Sequence, residues 1–201
     1  MKNVILATTN PGKILEYQTL FKELKLPINL ITLKDAGIFI DIEEDGKTFE
    51  ENAIKKANSY STYTDLPVLA EDGGLEIDYL NGEPGVYSRR WPGYEATDKE
   101  LLDILFEKMK GVPRDKRGAQ FKVVVALKIS KDNDPILAEG SLRGQIEEEV
   151  KSSIIPGFPF RSVFYLESIG KTLGEVTMEE EAKIAHRRMA LNQLILEFLK
   201  I

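Results

Sequence analysis

The sequence of 201 residues contains no cysteine and a single histidine, His186. Without cysteine there is no disulfide framework, no thiolate metal site and no cysteine nucleophile. With one histidine, the usual zinc ligand sets are excluded as well. No stretch approaches the ~18 consecutive apolar residues of a membrane span, so no membrane partner is expected. The opening run Val4-Ile5-Leu6-Ala7 follows one charge and stops at polar Thr8-Thr9-Asn10. That is too short for a signal-peptide core and reads better as a strand. Basic residues are in the minority: 27 Lys+Arg against 33 Asp+Glu leave a net charge of −6. Phosphate neutralisation on nucleic acid calls for a basic surface, so nucleic acid is not an expected partner. A P-loop, a Gly-x-Ser-x-Gly elbow, internal repeats and Pro/Ser-rich linkers are all missing. A cytoplasmic setting is the default, and the length suits one domain over 1–201, in one body or two lobes sharing a core.

What the sequence does contain is alternation of helix and strand patterns. After the first strand and its polar turn, Ile14, Tyr17, Leu20, Phe21 and Leu24 recur at helical spacing, with Pro11 suited to the first turn. Thr48 followed by Glu51 predicts a capping box, for a helix burying Phe49, Ala53, Ala57 and Tyr60. Pro67 to Ala70 reads as a short strand ending in Glu71-Asp72-Gly73-Gly74, and Asn81-Gly82 as a tight turn. Thr97 with Glu100 caps a further helix carrying Leu101, Leu102, Ile104, Leu105 and Met109. Long strands are expected at Phe121–Ile129 and at Ile136–Ile146 or beyond, then one C-terminal helix, started by Thr177 and Glu180, that packs Ala182, Met189, Leu194, Ile195 and Phe198. The mixed order predicts an α/β fold with a mixed sheet.

Three polar segments fall at expected element boundaries, where side chains and backbone groups can converge. Thr8-Thr9-Asn10-Pro11-Gly12-Lys13 leads into a helix N-terminus, whose free N–H groups and dipole favour phosphate, with Lys13 adding a charge. Glu43-Glu44-Asp45-Gly46 precedes the capped helix, on which Asn52 and Lys56 share a face. Glu71-Asp72-Gly73-Gly74 is the third. Magnesium takes one or two carboxylates together with waters and phosphate oxygens, which two acidic loops could supply. Each segment alone also fits an ordinary solvated turn.

Together the segments resemble the inosine triphosphatase family, which hydrolyses non-standard purine nucleoside triphosphates to the monophosphate and pyrophosphate. The resemblance runs, in order, through Leu6-Ala7-Thr8-Thr9-Asn10-Pro11-Gly12-Lys13 with Glu16, then Thr48-Phe49-Glu50-Glu51-Asn52-Ala53 to Lys56-Ala57. It continues through Ala70-Glu71-Asp72-Gly73-Gly74-Leu75 and Leu80-Asn81-Gly82-Glu83-Pro84-Gly85-Val86-Tyr87-Ser88-Arg89-Arg90. It closes with Lys171-Thr172 through Glu175 and with Lys183, His186 and Arg187. The resemblance implies an elongated, two-lobed α/β fold with a long mixed sheet flanked by helices, the active site in the inter-lobe cleft, and a homodimer. It implies Mg²⁺, with Mn²⁺ as the alternative, held by Glu44 and Asp72. Lys13 and Lys56 are the implied catalytic cations, and Asp72 or Glu71 orients or deprotonates the attacking water. Thr8, Thr9, Asn10, Lys13, Gly73, Phe158, Arg161, Lys183, His186 and Arg187 are the implied substrate contacts.

The chain departs from the family pattern in one segment. Where the family reads Gly-Phe-Gly-Tyr-Asp-Pro, this chain has Gly157-Phe158-Pro159-Phe160-Arg161-Ser162. An acceptor that reads the base has become a fork of donors, and unpaired polar groups set discrimination. Either Arg161 shifts the base preference, or it points to solvent and leaves recognition to Phe158 and Arg187. Ala185-His186-Arg187 and Asp72-Gly73-Gly74 stand where the family has Ser-His-Arg and Asp-Ser-Gly. A related septum-formation-inhibitor type of pyrophosphatase is disfavoured, since its opening Ser-x-Arg-Arg is missing. A nucleotide-binding sensor without turnover is the alternative from another class. Tyr87, Trp91 and Tyr94 are a candidate interface or part of the core.

Overall fold

The computed structural model describes residues 2–201. The chain divides into two compact units: residues up to Gly73 with Val123–Gly140 and Ala182–Ile201, and Gly74–Lys122 with Ser141–Glu181. The strands are β1 (Lys2–Leu6), β2 (Ile28–Thr32), β3 (Val68–Ile77), β4 (Gly118–Lys128), β5 (Ile136–Ile146), β6 (Phe164–Leu166) and β7 (Lys171–Thr172). They form a seven-stranded sheet in the order β2-β1-β3-β4-β5-β6-β7. The pairs β1–β2 and β1–β3 are parallel, while β5–β6 and β6–β7 are antiparallel, so the sheet is mixed as expected. No helix among the described residues is long and apolar enough to cross a membrane.

The first unit holds the helices α1 (Pro11–Glu23), α2 (Phe49–Ser61) and α5 (His186–Lys200). Successive strand side chains point to opposite faces, so each strand offers two apolar rows. Val4, Leu6, Leu69, Val123, Val125 and Leu127 form one row and bury Tyr17, Leu20 and Phe21 of α1 with Leu191, Leu194 and Phe198 of α5. Phe21 and Phe198 meet edge to face at 5.2 Å, one such pair adding about 0.5–1.5 kcal/mol beyond area burial. Between those rows Ile5, Val68, Ala70 and Val124 are buried too, so the strands are covered on both faces. Thr48 caps α2 as expected, accepting from the Glu51 N–H, but the Glu51 carboxylate returns its bond to the Lys47 N–H, closing a slightly wider box.

The second unit contains α3 (Asp98–Lys108), whose Thr97–Glu100 capping box is complete. Buried Arg117 donates to the carbonyls of Met109, Val112, Ile146 and Glu147, tying the end of α3 to β5. The Trp91 ring lies edge-on to Phe160 and its N–H donates to Glu83, whereas Tyr87 and Tyr94 are exposed.

Two expectations about the elements fail. Glu71-Asp72-Gly73-Gly74 does not end a strand, because β3 continues through it to Ile77. The acids there are buried and bonded rather than solvated, which removes the reason to expect a turn. The C-terminal helix is also not continuous. Helix α4 (Met178–Ile184) stops at Ala185, whose φ of −56° and ψ of 135° are extended, and α5 starts anew at His186. No proline or glycine marks this break. Met189, expected in the core, is exposed, because 3.6 residues per turn place it about 140° from Leu194 and about 180° from Phe198 around α5.

Candidate active site

Glu71 and Asp72 are neighbours on β3, and the period of two sends them to opposite faces of the sheet. Each enters a different environment. Glu71 faces α1 and α5, where Arg187 forms a fork on it: Nε donates to Oε2 at 2.7 Å and Nη2 to Oε1 at 2.9 Å. Tyr17 donates its hydroxyl to Oε2 at 2.6 Å, and Lys13 Nζ lies 2.9 Å from Oε1. The remaining arm of Arg187 donates to Glu16 Oε2 at 2.9 Å and contacts His186 Nε2 at 3.2 Å. Arginine has no acceptor, so Nε2 of His186 accepts and the ring proton sits on Nδ1. Two carboxylates and two cations therefore share one buried, locally neutral cluster.

Burial alone would raise the Glu71 carboxyl, but the charges of Arg187 and Lys13 and the bonds from Arg187 and Tyr17 outweigh it and hold it well below the carboxylate range. Desolvation opposes the Arg187 charge, yet Glu16 and Glu71 keep it firmly protonated. Tyr17 is pushed well above its ordinary value by burial first and then by the Glu71 charge. Glu71 is thus a permanent anion with its lone pairs engaged.

Asp72 faces α2. Its Oδ2 accepts from Asn52 Nδ2 at 2.8 Å and its Oδ1 from the Gly73 N–H at 2.8 Å. Burial raises its carboxyl above the usual range; Glu44 adds to this, while Lys56, Asn52 and Lys13 act against it. Lys56, one turn beyond Asn52 on α2, donates to Glu44 Oε1 at 2.6 Å. Asp72 and Glu44 thus repel one another electrostatically and offer hard oxygens. A divalent cation fits that donor set, sharing Glu44 with Lys56. No group of three or more potential protein ligands occurs among the described residues, and magnesium needs only one or two carboxylates.

The N-terminus of α1 differs from the expectation of free N–H groups. Asn10 Oδ1 accepts from both Gly12 and Lys13, the Ile14 N–H bonds to the Asn10 carbonyl, and Pro11 has no N–H. The cap consumes the donors that the sequence had suggested for phosphate. Thr8 accepts from the Asn10 N–H, and Thr9 is exposed. Lys183, on α4, is exposed, and Gly73 is half-buried.

Phe158 and Arg161 lie in the second unit. Phe158 is half-buried, and the Gly157 N–H just before it is held by Asp98 Oδ2 at 2.8 Å. Arg161 is neither free nor turned to solvent. Both terminal nitrogens bond the Glu181 carboxylate, with Nη1 at 2.7 Å from Oε1, and the side chains are only 14% and 3% exposed. The Gly174 N–H donates to the Arg161 carbonyl at 2.8 Å, fixing the same segment again.

The chain matches the Ham1 family over residues 4–197. It is 40% identical over 200 residues to a dITP/XTP pyrophosphatase of Clostridium perfringens, covering 96% of both chains. To the dITP/XTP pyrophosphatase of Escherichia coli strain K12 it is 42% identical over 196 residues, covering 97% of each. The chain belongs to the Ham1 family. Among solved structures, a HAM1 protein from Coxiella burnetii is similar with a TM-score of 0.85 at 36% identity, covering all of both chains. The Staphylococcus aureus Ham1 protein is similar with a TM-score of 0.82 at 32% identity, over 99% of this chain and 98% of that one. The family resemblance read from the motifs agrees with these matches. In this Ham1 chain the structure brings Lys13, Glu71, His186 and Arg187 into one cluster, and Glu44, Lys56 and Asp72 into a second. Sequence reasoning did not foresee Tyr17 as a polar ligand, because its helical spacing looked purely apolar. Glu181 gave no sequence signal at all, since its bond to Arg161 spans 20 residues.

Proposed function

We propose that this chain is a nucleoside-triphosphate pyrophosphatase acting on non-standard purine nucleotides such as dITP and XTP, giving the monophosphate and pyrophosphate. What carries the reading is the full-length similarity to proteins named dITP/XTP pyrophosphatase, together with a buried, elevated aspartate beside Glu44 and Lys56. Glu44 and Asp72 would hold a divalent cation, Mg²⁺ or Mn²⁺, which offsets phosphate charge and orients substrate oxygens when bound. Water adds across the α–β phosphoanhydride, and Asp72 accepts its proton. Glu71 is a poor choice for that step, because four donors already occupy it and hold it ionised. Its role in this reading is to hold Lys13 and Arg187 in place, with Lys13, the most exposed cation of the cluster, meeting the substrate phosphates. Lys56 steadies Glu44 and offers a charge to the leaving pyrophosphate.

Thr8, Thr9 and the Asn10 amide contribute side-chain contacts to phosphate, as the backbone donors of α1 are engaged. Phe158 stacks on the base, and Lys183 is available to it from the exposed face of α4. The Arg161–Glu181 pair supports a structural role for Arg161, leaving the base preference that of the named relatives. The homodimer and the cytoplasmic setting belong to the same reading, with exposed Tyr87 and Tyr94 as the surface to test by sedimentation. The test of function is pyrophosphate release with Mg²⁺ across ITP, dITP, XTP and the four standard triphosphates. Preferential turnover of the first group is expected, falling by about 10²–10⁴-fold in Asp72→Asn. Equal turnover of standard nucleotides, or an active Asp72→Asn, would refute it.

A further inference from the structure

We propose that Asn52 is a positioning residue for the cation-holding carboxylates, its one amide setting both Asp72 and the loop that carries Glu44. The inference rests on the reading of Glu44 and Asp72 as cation ligands. Asn52 is 1% exposed on α2, and both ends of its amide are engaged. Its Oδ1 accepts from the Gly46 N–H at 2.8 Å, and its Nδ2 donates to Asp72 Oδ2 at 2.8 Å. A backbone N–H can only donate, so Gly46 decides which end of the amide is oxygen and forces the NH₂ toward Asp72. The second Asp72 oxygen is held by the Gly73 N–H. Each oxygen therefore has one protein donor, which fixes the carboxylate plane and leaves further lone-pair directions for a cation or water.

The other end of the relay fixes the acidic loop. A Cβ on Gly46 would lie 2.6 Å from Asn52 Oδ1 and 2.9 Å from Glu51 Cβ, so only glycine lets the loop come this close. Glu44 stands two residues earlier and is gripped by Lys56, four residues after Asn52 on the same helix face. Two side chains of α2 thus set the spacing between the two acids. A buried amide kept only for packing would matter to stability alone. An amide that orients ligands matters to the ion, where such supporting partners are typically worth about 10–100-fold in affinity.

The test is electron paramagnetic titration of Mn²⁺ into the full chain, with α,β-methylene inosine triphosphate, which cannot be split, held at fixed concentration. Wild type, Asp72→Asn, Asn52→Leu and Gly46→Ala are compared, each checked for fold by circular dichroism. Asn52→Leu and Gly46→Ala are expected to bind Mn²⁺ about 10–100-fold more weakly than wild type. A lower melting temperature with Mn²⁺ affinity within about twofold of wild type would overturn the proposal and leave Asn52 a packing residue. If Asn52→Leu does not fold, Gly46→Ala decides by the same criterion, since it keeps the amide and breaks the close approach between the loop and α2. Equal Mn²⁺ binding by wild type and Asp72→Asn would instead refute the ligand assignment, and this inference with it. Loss in Asp72→Asn but not in the other two would refute this inference alone.

Discussion

Replacing Arg187 with methionine is predicted to destabilise the protein more than any single change at an exposed ion pair. The side chain is 7% exposed and makes three bonds to two carboxylates that are themselves nearly inaccessible. Methionine keeps much of the volume but leaves Glu16 without this cation and Glu71 with only Lys13 and Tyr17. Breaking a buried pair from one side costs about 3–5 kcal/mol, most of it the desolvation of the stranded anion. For a chain of this size about 1 kcal/mol moves the midpoint by about 2–4 °C, so a fall of about 6–20 °C is expected in a thermal melt at neutral pH. The pH dependence has a definite sign. Glu71 has a folded pKa well below its unfolded one, so its contribution is present above the unfolded value of 4.5 and is lost as pH falls through the folded value. The gap between wild type and Arg187→Met should therefore narrow in acid, where the stranded carboxylates can protonate. Adding Glu71→Gln to Arg187→Met should recover part of the loss, because it removes one of the two stranded carboxylates and leaves Glu16. A drop below about 2 °C at neutral pH, or a gap that widens in acid, would refute the argument.

The other predictions are shorter. In the cation-free protein the Asp72 carboxyl is expected to titrate above the ordinary aspartate value of 3.8, because burial raises it, and to be drawn down when Mg²⁺ is added; carboxyl NMR titrations of wild type and Asp72→Asn, with and without Mg²⁺, check this. Arg161→Met should lower stability by about 3–5 kcal/mol by stranding Glu181, yet leave the ranking of triphosphates unchanged; a changed ranking would return Arg161 to base recognition. Gly140→Ala would put a Cβ 2.0 Å from the His186 carbonyl, forcing α5 away from β5. A loss of about 1–3 kcal/mol is expected, with weaker binding of the uncleavable triphosphate measured by calorimetry as His186 and Arg187 shift.

Some of this was legible in the chain before any coordinates. β5 starts at Ile136 as read and stops at Ile146, the nearer of the ends that the sequence left open. The cap at Thr97 holds as read, since a capping box involves only residues three apart. Asn52 and Lys56 do share a working face, because four residues make one turn of helix. Other features were hidden by their range. β6 and β7, with three and two residues, are too short to carry a period. The break at Ala185 has no local breaker residue, and it sets the start of α5 where Arg187 reaches Glu71 across 116 residues of sequence.

The sequence by itself determined the fold class and the family, because hydrophobic period, caps and ordered motifs are local properties of the chain. It also determined which acids, lysines and glycines are available for chemistry. Only the tertiary structure decided how they divide the work. Adjacent acids on a strand look interchangeable in one dimension, but the pleat sends Glu71 into a cage of cations and Asp72 toward an amide and a second carboxylate. Arg161 likewise looks like a free fork of donors until Glu181 is folded against it. Charge state and availability depend on burial and on partners distant in sequence, and those exist only once the chain has packed.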